Sequence, residues 1–413
     1  MNTIRLCRPV ALVICFLVLA DSVSRAGPGD GLRVGKVRIR PHVSVSGTYD
    51  SNVFLTGEGE ESDMFWQLQA GLDASMTLDA LTLELAALSY SRTYSSTEPA
   101  EDAEISGGAS LRAAFGRREK LAVEITPSYQ RVQDYSWRPR REGSLTRDDR
   151  AYLVSEDRSE RERRDLIDVG VSVGRNMTDK TELDVAYGYH MVDYVESDLF
   201  DQTGNRAGVS AGYKVTAKSA LYLDYGFGIQ DSEGTSDEAV SHTAHAGWRT
   251  RLSDKTSFRA GAGVEVHDDG TDDAGGIDSR QEVFSLDVAG YWRAAPKVMV
   301  SVAVGDSIEP SSFEANNTRE VRYAAGSASW RFTRDVSVSA GLSARSEEYR
   351  RPSEAVGATR ETYSYGITGR LGYAPPRRLY SASLTASHEL LDSNLPNEDY
   401  DQTRVALQLT LRY

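Results

Sequence analysis

Met64, Trp66, Leu68, Ala70, Leu72, Ala74, Met76 and Leu78 are apolar, and Gln67, Gln69, Gly71, Asp73, Ser75 and Thr77 stand between them. A period of two puts the first set on one face of an extended strand and the second on the other, a pattern that a helix of period 3.6 would scatter. The same alternation runs through Ile105 to Phe115, Leu121 to Tyr129, Ile167 to Val173, Leu183 to Met191, Ala207 to Val215 and Leu221 to Ile229. It continues in His242 to Leu252, Phe258 to Val266, Phe284 to Trp292, Val298 to Val304, Val336 to Ala344, Tyr363 to Tyr373, Tyr380 to His388 and Val405 to Tyr413. With less regular segments opening at Val37, at Leu81 and near Arg322, the chain reads as 18 strands, each with one dry and one wet face. Only Ser155 to Leu166 has a pattern that admits a short helix.

The connections come in two kinds, and the kinds alternate. Short ones are 79–80, 116–120, 176–180, 216–219, 253–255, 293–297, 333–335 and 374–378; long ones are 51–62, 95–103, 134–165, 196–204, 231–238, 268–278, 307–317, 346–359 and 391–401. Tight turns on one rim and long loops on the other are the layout of an up-and-down antiparallel transmembrane β-barrel. A soluble sandwich has no reason to keep that parity. With mean hydropathy at -0.44 and 40% hydrophobic residues, no stretch after about the first 20 can form an apolar spanning helix. A formal charge of -14 is the wrong sign for a general nucleic-acid binder.

Charge separates the rims as well. Apart from 134–165, the long loops hold 27 acidic and two basic residues, Arg350 and Arg351, whereas the short turns hold 11 basic and five acidic. Two rims in different environments account for this asymmetry, and acidic outer loops suit divalent cations shared with lipopolysaccharide. The loop 134–165 differs, with nine arginines beside nine acids. Two readings stay open: an external loop whose charges pair with each other or with water, or a loop folded inward, where Arg138, Arg140, Arg141, Arg147 and Arg150 narrow the bore by pairing with interior carboxylates such as Glu124 or Asp184 and offer guanidinium groups to an anionic sugar chain.

Both ends carry address labels. Arg5 and Arg8 precede the 12-residue apolar run Pro9 to Ala20, and Ser24 and Ala26 are small residues before a cut ahead of Gly27, so residues 1–26 read as a signal peptide and 27–413 as the barrel domain. The cut removes Cys7 and Cys15, the only cysteines, which excludes disulfides and cysteine metal sites in the remainder. At the other end Val405, Leu407, Leu409 and Leu411 alternate up to the terminal Tyr413. An aromatic behind such a strand resembles the signal that outer-membrane barrels present to the barrel-assembly machinery, where an unpaired strand docks on a sheet edge. The expected location is the cell outer membrane, in contact with its lipid and lipopolysaccharide.

The end of the first strand reads Tyr49-Asp50-Ser51-Asn52-Val53-Phe54 after Gly47-Thr48. This resembles the opening of the putative beta-barrel porin 2 family, whose layout matches the whole of 27–413. The resemblance implies an outer-membrane pore, and some members are associated with exopolysaccharide production. Export of a polysaccharide, with that polymer and periplasmic export proteins as partners, is the expectation. A general or sugar-selective diffusion porin is the alternative, and a structural or adhesive barrel a second one. No cofactor is expected.

Signals for catalysis are weak. Gly305-Asp306-Ser307-Ile308 has the look of an esterase nucleophile block, but the chain has no later Asp-x-x-His, and a strand end is an ordinary place for Gly-Asp-Ser. His242 and His245 sit three apart on a strand, on opposite faces, and cannot share a metal. The acids at 268, 269, 272, 273 and 278 lack EF-hand spacing. Function is therefore expected on the wet face. Its charged candidates are Arg112, Glu124, Asp184, Asp224, Arg259, Glu265, Asp287, Arg370 and Arg404, because Arg or Lys facing lipid at the midplane costs about 2–4 kcal/mol. At 18 strands the interior is wide enough for an aqueous channel unless opposed ion pairs close it.

Overall fold

The computed structural model describes residues 31–413 apart from 54, 58, 96–105, 118–119, 133–162, 196–200, 233–237, 269–279, 311–317, 353–358, 376–378 and 396–398. Every regular element among them is a strand. In chain order these are β1 (Leu32–Val34), β2 (Val37–Asp50), β3 (Asp63–Thr77), β4 (Leu81–Tyr94), β5 (Ser106–Arg117), β6 (Leu121–Val132) and β7 (Arg163–Asn176). Then come β8 (Thr181–Val195), β9 (Gln202–Lys214), β10 (Ser219–Ser232), β11 (Ala239–Ser253), β12 (Thr256–Asp268) and β13 (Arg280–Ala295). The last are β14 (Val298–Pro310), β15 (Thr318–Arg331), β16 (Val336–Pro352), β17 (Thr359–Tyr373), β18 (Tyr380–Ser393) and β19 (Tyr400–Arg412).

From β2 onward each strand pairs antiparallel with the next, and β19 returns to β2 from Arg404↔Asp50 to Arg412↔His42, so 18 of the 19 strands close into a barrel. Closure removes the sheet edges that lipid cannot satisfy. The extra strand, β1, lies against the stretch of β2 below His42, where β19 has run out: Leu32 faces Ile39 and Val34 faces Val37. Gly35, at φ 62, makes the tight turn between them in a backbone region that L side chains rarely adopt.

The apolar stripes face outward. Leu407, Leu409 and Leu411 are 54%, 56% and 65% exposed, whereas Asp50 and Ser285 on the other face have no exposed surface. Apolar side chains open to surroundings and polar ones enclosed is the inverse of a soluble protein. Aromatic residues band both ends of the outer surface. Trp330 and Phe332 meet edge-on at 4.9 Å and Tyr373 and Tyr380 at 6.1 Å near the short turns. Exposed Tyr49, Trp66, Tyr129, Tyr187 and Tyr365 lie toward the long loops. Such girdles sit at the two membrane interfaces.

Several strands reach further than their alternation predicts. The loops expected at 231–238, 307–317 and 346–359 begin only after Ser232, Pro310 and Pro352, so Arg350 and Arg351 belong to β16. Residues 163–166, expected in a loop or short helix, open β7. The barrel strands are 12 residues (β5) to 17 (β16) long, beyond the roughly 9–11 that a tilted strand needs to cross hydrocarbon. Above that level the outward side chains are charged, as at Asp306, Glu320, Arg322 and Glu348. The apolar signal therefore stops while the backbone ladder goes on, with Asp306↔Arg322 and Glu320↔Glu348 still paired.

Candidate functional site

Register places Arg112, Glu124, Asp184, Asp224, Arg259, Glu265, Asp287, Arg370 and Arg404 on the interior face. Their side chains are mostly committed to one another. On β5, Arg112 donates to both oxygens of Glu124 on β6 (3.0 and 2.8 Å) and to Glu84 on β4 (3.2 Å). Both partners stand on neighbouring strands, so a period of two delivers three charges to one patch. All three remain substantially exposed, and such a clasp adds little stability. It does fix where charge lies in the water-accessible interior. Glu124, one of the carboxylates expected to receive the long loop, is here held by Arg112 close to the short turns. Arg138, Arg140, Arg141, Arg147 and Arg150 lie outside the described residues.

A second network spans β8 to β13. Arg259 donates to the Tyr222 hydroxyl (3.2 Å) and to Asp224 (3.4 Å), lies 3.9 Å from Asp287, and stacks its guanidinium 4.4 Å above the Tyr222 ring. Ser210, opposite Asp184, donates to Asp224 at 2.5 Å. The Tyr222 ring needs room, and two glycines supply it: a Cβ on either Gly247 or Gly261 would come 2.3 Å from its hydroxyl. Glu182 on β8 meets Arg249 on β11 across Gly212, where a Cβ would come 2.7 Å from Glu182. Arg370 differs from the other candidates. It is exposed between Thr385 and Ser339, with no side-chain partner among the described residues.

Two interior clusters escaped the sequence reading. Arg319, 1% exposed, donates to Glu347 and to the Tyr349 hydroxyl (both 3.1 Å), and Arg345 binds the other Glu347 oxygen. Their alternation was hidden because residues from 346 onward were assigned to a loop. The other cluster is Tyr49-Asp50-Ser51-Asn52-Val53 itself. Asp50 accepts from Arg404 (2.9 Å) and Gln402 (2.9 and 3.1 Å) on β19, and from the Asn52 backbone N–H (3.1 Å). Asn52 donates to the carbonyls of Thr56 (2.8 Å) and Asp401 (3.1 Å), Ser51 exchanges bonds with the Thr403 backbone (2.9 and 2.8 Å), and Val53 is 0% exposed. This motif staples the first barrel strand to the last. Arg404, expected as a lining charge, is a closure residue.

Among the described residues the catalytic and metal signals are not brought together. Gly305 to Ile308 lies within β14, with Asp306 outward and Ser307 inward. His245 is interior and 2% exposed, while His242 faces outward beside Tyr225 (2.9 Å). No group of three metal-ligating side chains occurs among the described residues, and 269–278 lie outside them.

A model of the family described as Putative beta-barrel porin 2 matches residues 27–413. No curated protein sequence matches the chain. Among solved structures, OpdK from Pseudomonas aeruginosa is similar at 15% identity and TM-score 0.47, covering 91% of this chain and 99% of that one. OpdQ from the same organism gives 12% and 0.48 with 92% and 100% covered, and OccAB4 from Acinetobacter baumannii gives 10% and 0.47 with 94% and 100% covered.

Proposed function

Because the chain belongs to the Putative beta-barrel porin 2 family, we propose that this outer-membrane barrel is a passive diffusion channel for small hydrophilic solutes. The carrying observation is the inversion of its two faces: apolar side chains outward around the closed wall, and an interior of charges clasped against the wall with Ser, Thr and Gly between them. Clasped charges such as Arg112 and Arg259 are held against the wall while keeping part of their surface open to the interior.

This reading is preferred to polysaccharide export. A sugar chain moving through a pore is well served by open aromatic faces, since each apolar body can stack on a ring. Of the described interior tyrosines, Tyr90, Tyr194, Tyr222, Tyr349 and Tyr400 are 8%, 7%, 7%, 3% and 5% exposed, with Tyr222 and Tyr349 beneath arginines, and Tyr94, Tyr291 and Tyr323 are part-buried. The acidic long loops add a preference for cations at the outer mouth. Refolded protein in a planar bilayer should give ohmic, stepwise conductance with potassium favoured over chloride. Absence of such steps from correctly folded, heat-modifiable barrel would refute the channel. Conductance suppressed by polysaccharide chains at low concentration but not by monosaccharides would favour export.

A further inference from the structure

The wall is not equally zipped around its circumference. β13 and β14 pair from Ala295↔Val298 up to Asp287↔Gly305 and no further. Both strands continue toward the long-loop rim: β13 stays paired to β12 as far as Arg280↔Asp268, and β14 to β15 as far as Pro310↔Thr318. Between Asp306 and Pro310, roughly 14 Å of strand at 3.4 Å per residue, the two strands therefore face each other without a ladder among the described residues. The unpaired stretch begins at the upper edge of the apolar band, where Phe284 and Leu286 on β13 still point outward above the last pair and are 65% and 38% exposed while Asp306 on β14 is already charged.

Backbone groups at that depth must find partners, and here side chains supply them for three, the Leu286 and Ile308 N–H groups and the Asp306 carbonyl. The outward Asp306 carboxylate accepts from the Leu286 backbone N–H. Glu265 reaches from β12 past β13 to accept from the Ile308 N–H (3.0 Å), and Ser285, fully buried, bonds the Asp306 carbonyl (3.4 Å) and Glu265 (3.5 Å). A backbone ladder opens only strand by strand, but these contacts release by rotation of a few side chains. Next to them inside, three carboxylates, Asp224, Glu265 and Asp287, stand against one guanidinium, Arg259, and the His245 imidazole 3.6 Å from Glu265. Outside stand Phe284 and Leu286.

We propose that the upper β13–β14 seam is a lateral portal between the barrel interior and the outer leaflet, latched by Glu265 and Asp306, for solutes with an alkyl tail and a cationic or neutral head. The tail leaves by the apolar lip while the head stays with the interior carboxylates. The proposal rests on the channel reading, so its test carries an internal control for conduction. The chain after residue 15 has no cysteine, which permits clean disulfide locks: Phe284→Cys with Ile308→Cys across the seam, and Val300→Cys with Ala328→Cys across an intact ladder, where those residues are paired.

In planar bilayers, micromolar dodecyltrimethylammonium should block the current intermittently. The seam lock should cut the frequency of blocks at least tenfold, reduction should restore it, and the ladder lock should leave it unchanged. Tetramethylammonium, the same head without a tail, should give no such seam-dependent blocks. Equal blocking in locked and reduced seam protein, or seam-dependent blocking by tetramethylammonium, overturns the portal while ion conductance in both still reports on the channel. Should the locked variant fail to fold, hydrogen exchange of the unaltered protein decides. The Leu286 and Ile308 amides are expected to exchange at least tenfold faster than the ladder-bound amides of Val288 and Val304, and equal protection refutes the portal.

Discussion

Two of the barrel's seams depart from a simple continuous ladder in opposite ways. At β19–β2, where the chain ends must find each other, polar side chains are added to a ladder that is present: Asp50, Asn52 and Gln402 are buried, and Asp50 alone gathers three donors. At upper β13–β14, between strands adjacent in sequence, the ladder is missing and Asp306, Glu265 and Ser285 stand in for it. Closing the ends costs the loop entropy of the whole chain, so extra bonds there guard against the wall reopening. Adjacent strands are held together by their turn, and a gap in their pairing does not threaten the fold. The difference teaches that a barrel can omit backbone pairing only where topology already holds the strands.

Substitutions at the two seams should therefore differ in size. Asp50→Ala strands the nearly buried Arg404 guanidinium without its carboxylate, and loss of one partner from such a pair costs about 3–5 kcal/mol. Urea unfolding in micelles should show this loss, with much of the protein failing to reach the heat-modifiable form; a change under about 1 kcal/mol would show that the motif does not bear on closure. Asp306→Ala removes one acceptor from the Leu286 N–H, and one unsatisfied backbone donor costs about 1–3 kcal/mol. The barrel should assemble normally, and an effect as large as that of Asp50→Ala would erase the contrast between the seams. The smallest change is expected away from both. Arg112→Gln breaks a clasp whose members are 37–50% exposed, so stability should move by less than about 1 kcal/mol. Reversal potentials should nevertheless shift toward cations, since Glu84 and Glu124 lose their counter-charge. Unchanged selectivity would place that patch off the conduction path.

Much of this molecule could be read without coordinates. The two-residue period assigned nearly every strand and face, because a residue's face in a strand depends only on its parity. Arg112 and Glu124 were legible as interior for that reason. Arg319, Arg345 and Glu347 were not, because their strand runs past the hydrocarbon, where outward residues such as Glu348 stop being apolar and parity loses its marker. The motif from Tyr49 to Phe54 stood out as a family likeness, yet its chemistry was invisible, since its partners Gln402 and Arg404 lie some 350 residues away along the chain.

Sequence alone determined the class of fold, the number of barrel strands and the sign of each face. Local alternation carries those properties, and lipid enforces them by penalising every exception. Only the tertiary structure decided which interior charges meet, that Arg370 has no side-chain partner among the described residues while Arg404 is bound to Asp50 across the first and last strands, and that β13 and β14 part above Gly305. Those outcomes depend on register between strands and on side chains reaching across two or three of them. Register is a relation between distant segments, so no single segment encodes it.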